Sequence, residues 1–241
     1  MAEAYCGPAP SPETLLAAWN FDIPALALCA ALIVLHVARG EPAARLPLGL
    51  AVVLLLVLFI SPFCALTVAL FSARVGHHLL LVAAVAPLLA LAFPRRDGRG
   101  GGLAALVILH AGIVWLWHAP PVYEVAIRGV SAYWAMQLSL LGSAFLLWRA
   151  ILSPRAATGA ALLALLATAT QMGMLGALLT FARRPLYAAH ADTTFAYGLT
   201  PLADQQLAGL LMWVPAALPY LAAAALLLGA RLGRLSAPAG R

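Results

Sequence analysis

LAALVILHAGIVWLWHA, residues 103–119, runs for seventeen residues without an Asp, Glu, Lys or Arg. As an α-helix it is roughly 25 Å long, close to the ~30 Å of hydrocarbon in a bilayer. Nothing in it alternates like a barrel strand, and backbone groups in lipid must pair within their own segment, so it reads as a transmembrane helix. Pro120 and Pro121 end it, and His110 and His118 interrupt its apolar character.

Outward from this helix, six further apolar segments follow the same rule: 22–38, 46–63, 75–93, 131–151, 156–181 and 203–230. The expectation is an all-α integral membrane bundle of seven transmembrane helices forming one domain over residues 1–241. Pro62 ends the second span, and a short apolar surface segment is expected around 61–75. GRGGG at 98–102 reads as a flexible linker. Residues 1–22 carry Glu3, Glu13 and Asp22 and no basic residue, so the first apolar run is expected to remain as a span rather than act as a signal peptide.

Composition agrees. Of 241 residues, 64% are hydrophobic and only 9% charged, against roughly a quarter charged in an ordinary soluble domain. That excludes a soluble enzyme and a disordered chain. The sequence pI of about 9.8 would otherwise suggest nucleic acid. Here the fourteen basic residues are all arginines, set singly or in small groups between apolar runs, and no nucleic-acid partner is expected. With Arg39, Arg45, Arg95, Arg96, Arg99, Arg149, Arg155, Arg231, Arg234 and Arg241 on one side, and Arg74, Arg128, Arg183 and Arg184 on the other, the positive-inside rule puts the N-terminus outside and the C-terminus in the cytoplasm. Cys6, Cys29 and Cys64 form no CxxC and read as small packing residues.

This orientation gives each polar side chain a depth. His77 and His78 open the third span at the outer face, and His118 closes the fourth there, with His110 two turns deeper. Gln137, Gln171 and Met174 lie in the same leaflet, and Asp204, Gln205 and Gln206 open the seventh span, followed by Met212 on the face of Gln205. Intramembrane polar groups are costly and mark functional sites. Imidazole and thioether suit Cu(I), so copper is the expected metal, with His77, His78, His110, His118, Asp204, Gln205 and Met212 as candidate ligands. His78 with His118 would also serve as a haem-clamping pair. No serine protease arrangement is expected, because Ser139 and Ser143 show no base at their own level. Most of the tryptophans, with Tyr123, Tyr133 and Tyr187, read as an aromatic belt.

Three segments, WLWHAPPVYEVAI at 115–127, HHLLLVAAVAPLLAL at 77–91 and LADQQLAGLLMWVPAALPYL at 202–221, carry a resemblance. The chain resembles the multi-spanning CtaG family of cytochrome c oxidase assembly factors, associated with caa-type oxidases. The resemblance implies seven spans in a bacterial inner membrane, a cytochrome c oxidase subunit as partner, and copper insertion from the outer side without enzymatic activity. It carries over to His78, His118, Asp204, Gln205, Gln206, Met212 and Trp213. Arg74 and Val75 stand where the family commonly has a His-Met pair, and Gln137 where it has a histidine. A haem-binding membrane redox protein and a metal-free assembly scaffold are the alternatives, and homo-oligomerisation is left open.

Overall fold

The computed structural model describes residues 4–39, 44–94 and 102–236. Among these there is no β-strand. The helices are α1 (Ile23–Arg39), α2 (Arg45–Phe59), α3 (Pro62–Ala69), α4 (Phe71–Leu80), α5 (Ala86–Ala92), α6 (Leu103–His118), α7 (Pro120–Arg128), α8 (Val130–Ile151), α9 (Thr158–Thr180), α10 (Pro201–Trp213) and α11 (Ala217–Ser236). Among the described residues, four stretches are long and apolar enough to cross a membrane: Phe71–Ala92, Val130–Ile151, Thr158–Thr180 and Pro201–Arg234. Two bent pairs, α2 with α3 at 49° and α6 with α7 at 75°, add up to two more, and α1 is a shorter apolar helix. Large side chains such as Ile108, Leu163 and Leu226 point away from the core. Lipid is the solvent that makes such a surface stable. The linker expected at 98–102 lies outside the described residues apart from Gly102.

The bends have local causes. Ser61 caps α3, its Oγ accepting from Phe63 N, and Pro62 takes the first helical position, where no N–H is needed. Ala119, held extended before Pro120, ends α6. The segment around 61–75 is not a surface stretch, as the sequence suggested. Cys64, Ala65, Thr67 and Ala69 of α3 are buried, and α4 begins at Phe71 rather than 75. Four residues thus move from loop to helix, Arg74 among them.

Pro87 acts through a π-helical turn, Leu81–Val85. Ala86 N bonds to Leu81 O five residues back, and Pro87, lacking an N–H, cannot serve the next carbonyl in that register, Val82. Trp148 Nε1 from α8 takes that carbonyl at 2.9 Å. The orphan acceptor is therefore Val82, one residue before the Ala83 that a regular helix would leave free.

Between α9 and α10 the backbones nearly touch. A Cβ on Gly176 would lie 2.7 Å from Gly209 O, and one on Gly209 would lie 2.6 Å from Thr180 N. Only glycine at both positions permits this approach. It fixes α10, and with it Asp204, Gln205 and Met212, against the bundle.

The segment 4–22, the α3–α4 junction, α7 and the connection 181–200 gather at one end. Asn20 N donates to Ile60 O, Thr193 Oγ1 to Ala69 O and Tyr197 OH to Pro10 O. At the opposite end Arg39 lies over the Phe93 ring and Arg149 reaches Pro94 O.

Candidate functional site

The site is built on the first turns of α4. Phe71 and Ser72 open that helix with free N–H groups, and the Asp204 carboxylate of α10 takes both, at 2.7 and 3.1 Å, as well as the Ser72 hydroxyl. An acceptor of charge −1 at a helix N-terminus satisfies orphan donors and opposes the helix dipole. Gln205 is likewise engaged: its Oε1 accepts from Leu186 N at 2.7 Å, and its Nε2 faces the carbonyls of Leu179 and Arg184. Together the two residues clamp α4 and the 181–200 connection to α10.

One turn along, α4 projects Arg74, His77 and His78 into the core, all buried. The sequence allowed one of the adjacent histidines to face the headgroups; neither does. His77 packs edge-on to Phe59, with ring centroids 5.0 Å apart, and is stacked with Phe63 at 6.1 Å. Neither of its ring nitrogens has a hydrogen-bond partner. His78 meets His118 at 5.9 Å between ring centroids, with rings near perpendicular, and its Nε2 lies 3.4 Å from Gln137 Nε2. Gln137 Oε1 has no partner.

His118 is oriented from two sides. Its Nδ1 lies 2.7 Å from Val114 O. A carbonyl only accepts, so Nδ1 carries the proton and Nε2 keeps its lone pair. Its own backbone carbonyl receives the Tyr187 hydroxyl at 2.7 Å. A carbonyl-held imidazole presenting the other nitrogen is the usual second-shell arrangement of a ligating histidine. Two imidazoles sharing one metal at about 2.0–2.1 Å bring their ring centres to roughly 5–6.5 Å. The His78–His118 pair falls within that interval.

Among the described residues, no group of three or more His, Cys, Asp or Glu is disposed to hold a metal. Two imidazoles supply at most two ligands, so the pair alone does not make a four-ligand centre. Arg74 stands beside it with its guanidinium 5.2 Å from the Tyr133 ring centroid, and its Nε and Nη1 are unpartnered. No carboxylate forms an ion pair with it among the described residues.

The expected site residues therefore divide. His77, His78 and His118 come together. Asp204 and Gln205 sit at the same end of the bundle but are occupied by backbone. Met212 is buried against Gly176 of α9, and Met174 faces outward. His110 lies deeper, its Nδ1 2.9 Å from Ser143 Oγ. Ser143 thus does have a base at its level, contrary to the sequence reading. Its hydroxyl donates to Leu140 O, so the imidazole serves as donor to Ser143 rather than as its base. Tyr123, Tyr133 and Tyr187 wall the site instead of forming a belt, and all three are buried.

Several residues escaped the sequence. Cys6 and Cys64 form a disulfide across 58 residues, so they are not mere packing groups, while Cys29 stays free and buried. The bridge holds Tyr5 stacked on Tyr133, at 4.3 Å, as a cover over the Arg74 side. His190, in the 181–200 connection, lies 2.7 Å from the Tyr123 hydroxyl. Burial first, and then the charge of Arg74, pulls its pKa down to about 4. Arg74, His77 and His78 share one-turn spacing, a signal that a helix beginning at 75 excludes.

Fold and site together define an all-helical membrane protein with a buried histidine pair near one end. Residues 103–232 match the model of the cytochrome c oxidase caa3 assembly factor family (Caa3_CtaG), more than half of the chain, and the chain belongs to that family. Comparison with curated proteins and with solved structures finds no match.

Proposed function

We propose that this assembly factor carries Cu(I) on His78 and His118 and passes it to a cytochrome c oxidase subunit at the outer face of a bacterial inner membrane, without catalysis. The observation that supports the reading is the His118 hydrogen bond: Nδ1 is held by Val114 O, which leaves the Nε2 lone pair free on a ring packed against that of His78. Arg74 sharpens the choice of ion. At ~6 Å and an effective dielectric of ~20, it repels a unit charge by roughly 3 kcal/mol and a divalent ion by twice that. A singly charged, weakly held cargo suits a factor that must release it. His77 serves as the neighbouring reserve ligand. Asp204, Gln205, Met212 and His110 shape the site without binding the metal.

Seven spans follow if α1 and each bent pair cross the bilayer. The Cys6–Cys64 bridge supports an outward N-terminus, because disulfides persist in oxidising compartments. The arginine count argues for the same orientation.

The test is cellular. Under copper limitation, His78→Ala and His118→Ala lower oxidase activity while the level of this protein holds. Met212→Leu, which roughly conserves volume at a cost below ~1.5 kcal/mol, leaves activity intact. Full activity in both histidine variants would replace the copper reading with a metal-free scaffold.

A further inference from the structure

At the end of the bundle opposite the histidine pair, α1, α5 and α8 leave a cavity of about 300 Å³. Its walls are apolar, with Leu32 and Leu35 from α1, Leu89 from α5, and Leu138 and Leu141 from α8. Arg39, at the last residue of α1, and Arg149, in the last turn of α8, line the same cavity. Each guanidinium rests on an aromatic ring, Arg39 at 5.3 Å from the Phe93 centroid and Arg149 at 5.8 Å from that of Phe145. Neither has a carboxylate partner among the described residues. Arg149 reaches only Pro94 O, at 3.5 Å, and its Nε is buried without a partner.

Two cations at the helix ends with no carboxylate partner among the described residues, on an apolar slot, ask for an amphiphilic anion. A free phosphate would answer the charge and leave the leucine walls bare. A neutral lipid would fill the walls and leave the charge unanswered. We infer that the cavity binds an anionic glycerophospholipid, with the phosphate between Arg39 and Arg149 and an acyl chain along Leu32, Leu35, Leu89, Leu138 and Leu141. Basic pockets between membrane helices hold such headgroups in this way. The site is independent of the histidine pair.

Gly142 provides a separate handle. It lines the slot, and a Cβ there meets nothing within 4 Å. Gly142→Leu therefore projects bulk into the slot without disturbing the helices or either charge.

The experiment equilibrates the purified full chain with mixed micelles of equal dioleoyl-phosphatidylglycerol and dioleoyl-phosphatidylcholine. Retained lipid is then read by native mass spectrometry. Wild type should retain phosphatidylglycerol with roughly twenty-five-fold preference, since each of the two guanidiniums near an anionic surface contributes roughly fivefold. Arg39→Gln with Arg149→Gln should retain the two lipids alike, and Gly142→Leu should retain neither. Equal retention of both lipids by wild type would overturn the proposal. So would a preference that survives the double substitution. A dimer that Gly142→Leu dissociates would overturn it as well, by assigning the slot to a second copy of the chain.

Discussion

At the scale of single residues, the site rests on buried polar groups with fixed jobs. His190 is one whose effect can be read by pH. Its folded-state pKa of about 4 lies below the ~6.5 of an unfolded histidine, so the unfolded chain binds a proton that the folded chain refuses. Stability from this group is complete above about pH 6.5 and declines as pH falls towards 4, by on the order of 3 kcal/mol in total. The thermal unfolding midpoint in detergent should fall across that window. His190→Gln, which can still accept from Tyr123 and cannot gain a proton, should flatten the slope; an equal slope in that variant would remove His190 from the account. Arg74 shows the limit of residue-level reading. Its type was plain in the sequence, but its burial was not, because a four-residue error in where α4 starts assigned it to a loop.

Elements explain which parts of the sequence were legible. Apolar runs such as 131–151 and 156–181 match α8 and α9 to within two residues, because a helix in lipid has no competing way to pair its backbone. The breaks were harder. Pro62 and Pro120 do mark helix ends, yet each begins a new helix at a sharp angle, since proline at the first position of a helix stops one element and starts another. Pairing across the chain was not legible at all. The Cys6–Cys64 bridge, the Tyr123–His190 contact and the Asp204 cap on α4 join residues 58 to 133 positions apart, and no periodicity encodes such partners. The α9–α10 contact is the element-scale feature most sensitive to mutation. Gly209→Ala puts a methyl group into Thr180 N and Gly176 O, which cannot retreat, and should cost about 1–3 kcal/mol in thermal unfolding. Gly142→Ala, into open space, should cost nothing and gains helix propensity. If the two variants melt alike, the close approach is not a determinant of stability.

The whole molecule is organised end to end: one end holds the histidine pair under a disulfide-pinned cover, and the other presents arginines. The bridge closes a 58-residue loop, which in a chain-entropy account is worth roughly 4 kcal/mol. Cys6→Ser should therefore lower the unfolding midpoint of oxidised protein and leave that of reduced protein unchanged; the same loss in both would assign the effect to packing at Cys6. The cover and the clamps at Asp204 and Gln205 hold His78 and His118 in register, and in the proposed function this pair, not the methionine-bearing face of α10, carries the copper. The most direct measurement is a Cu(I) titration of the purified full chain in competition with a chromophoric chelator, run on wild type, His78→Ala, His118→Ala and Met212→Leu. One Cu(I) per chain is expected in wild type and Met212→Leu, and none in either histidine variant. Copper retained in both histidine variants, or absent from wild type, would contradict it.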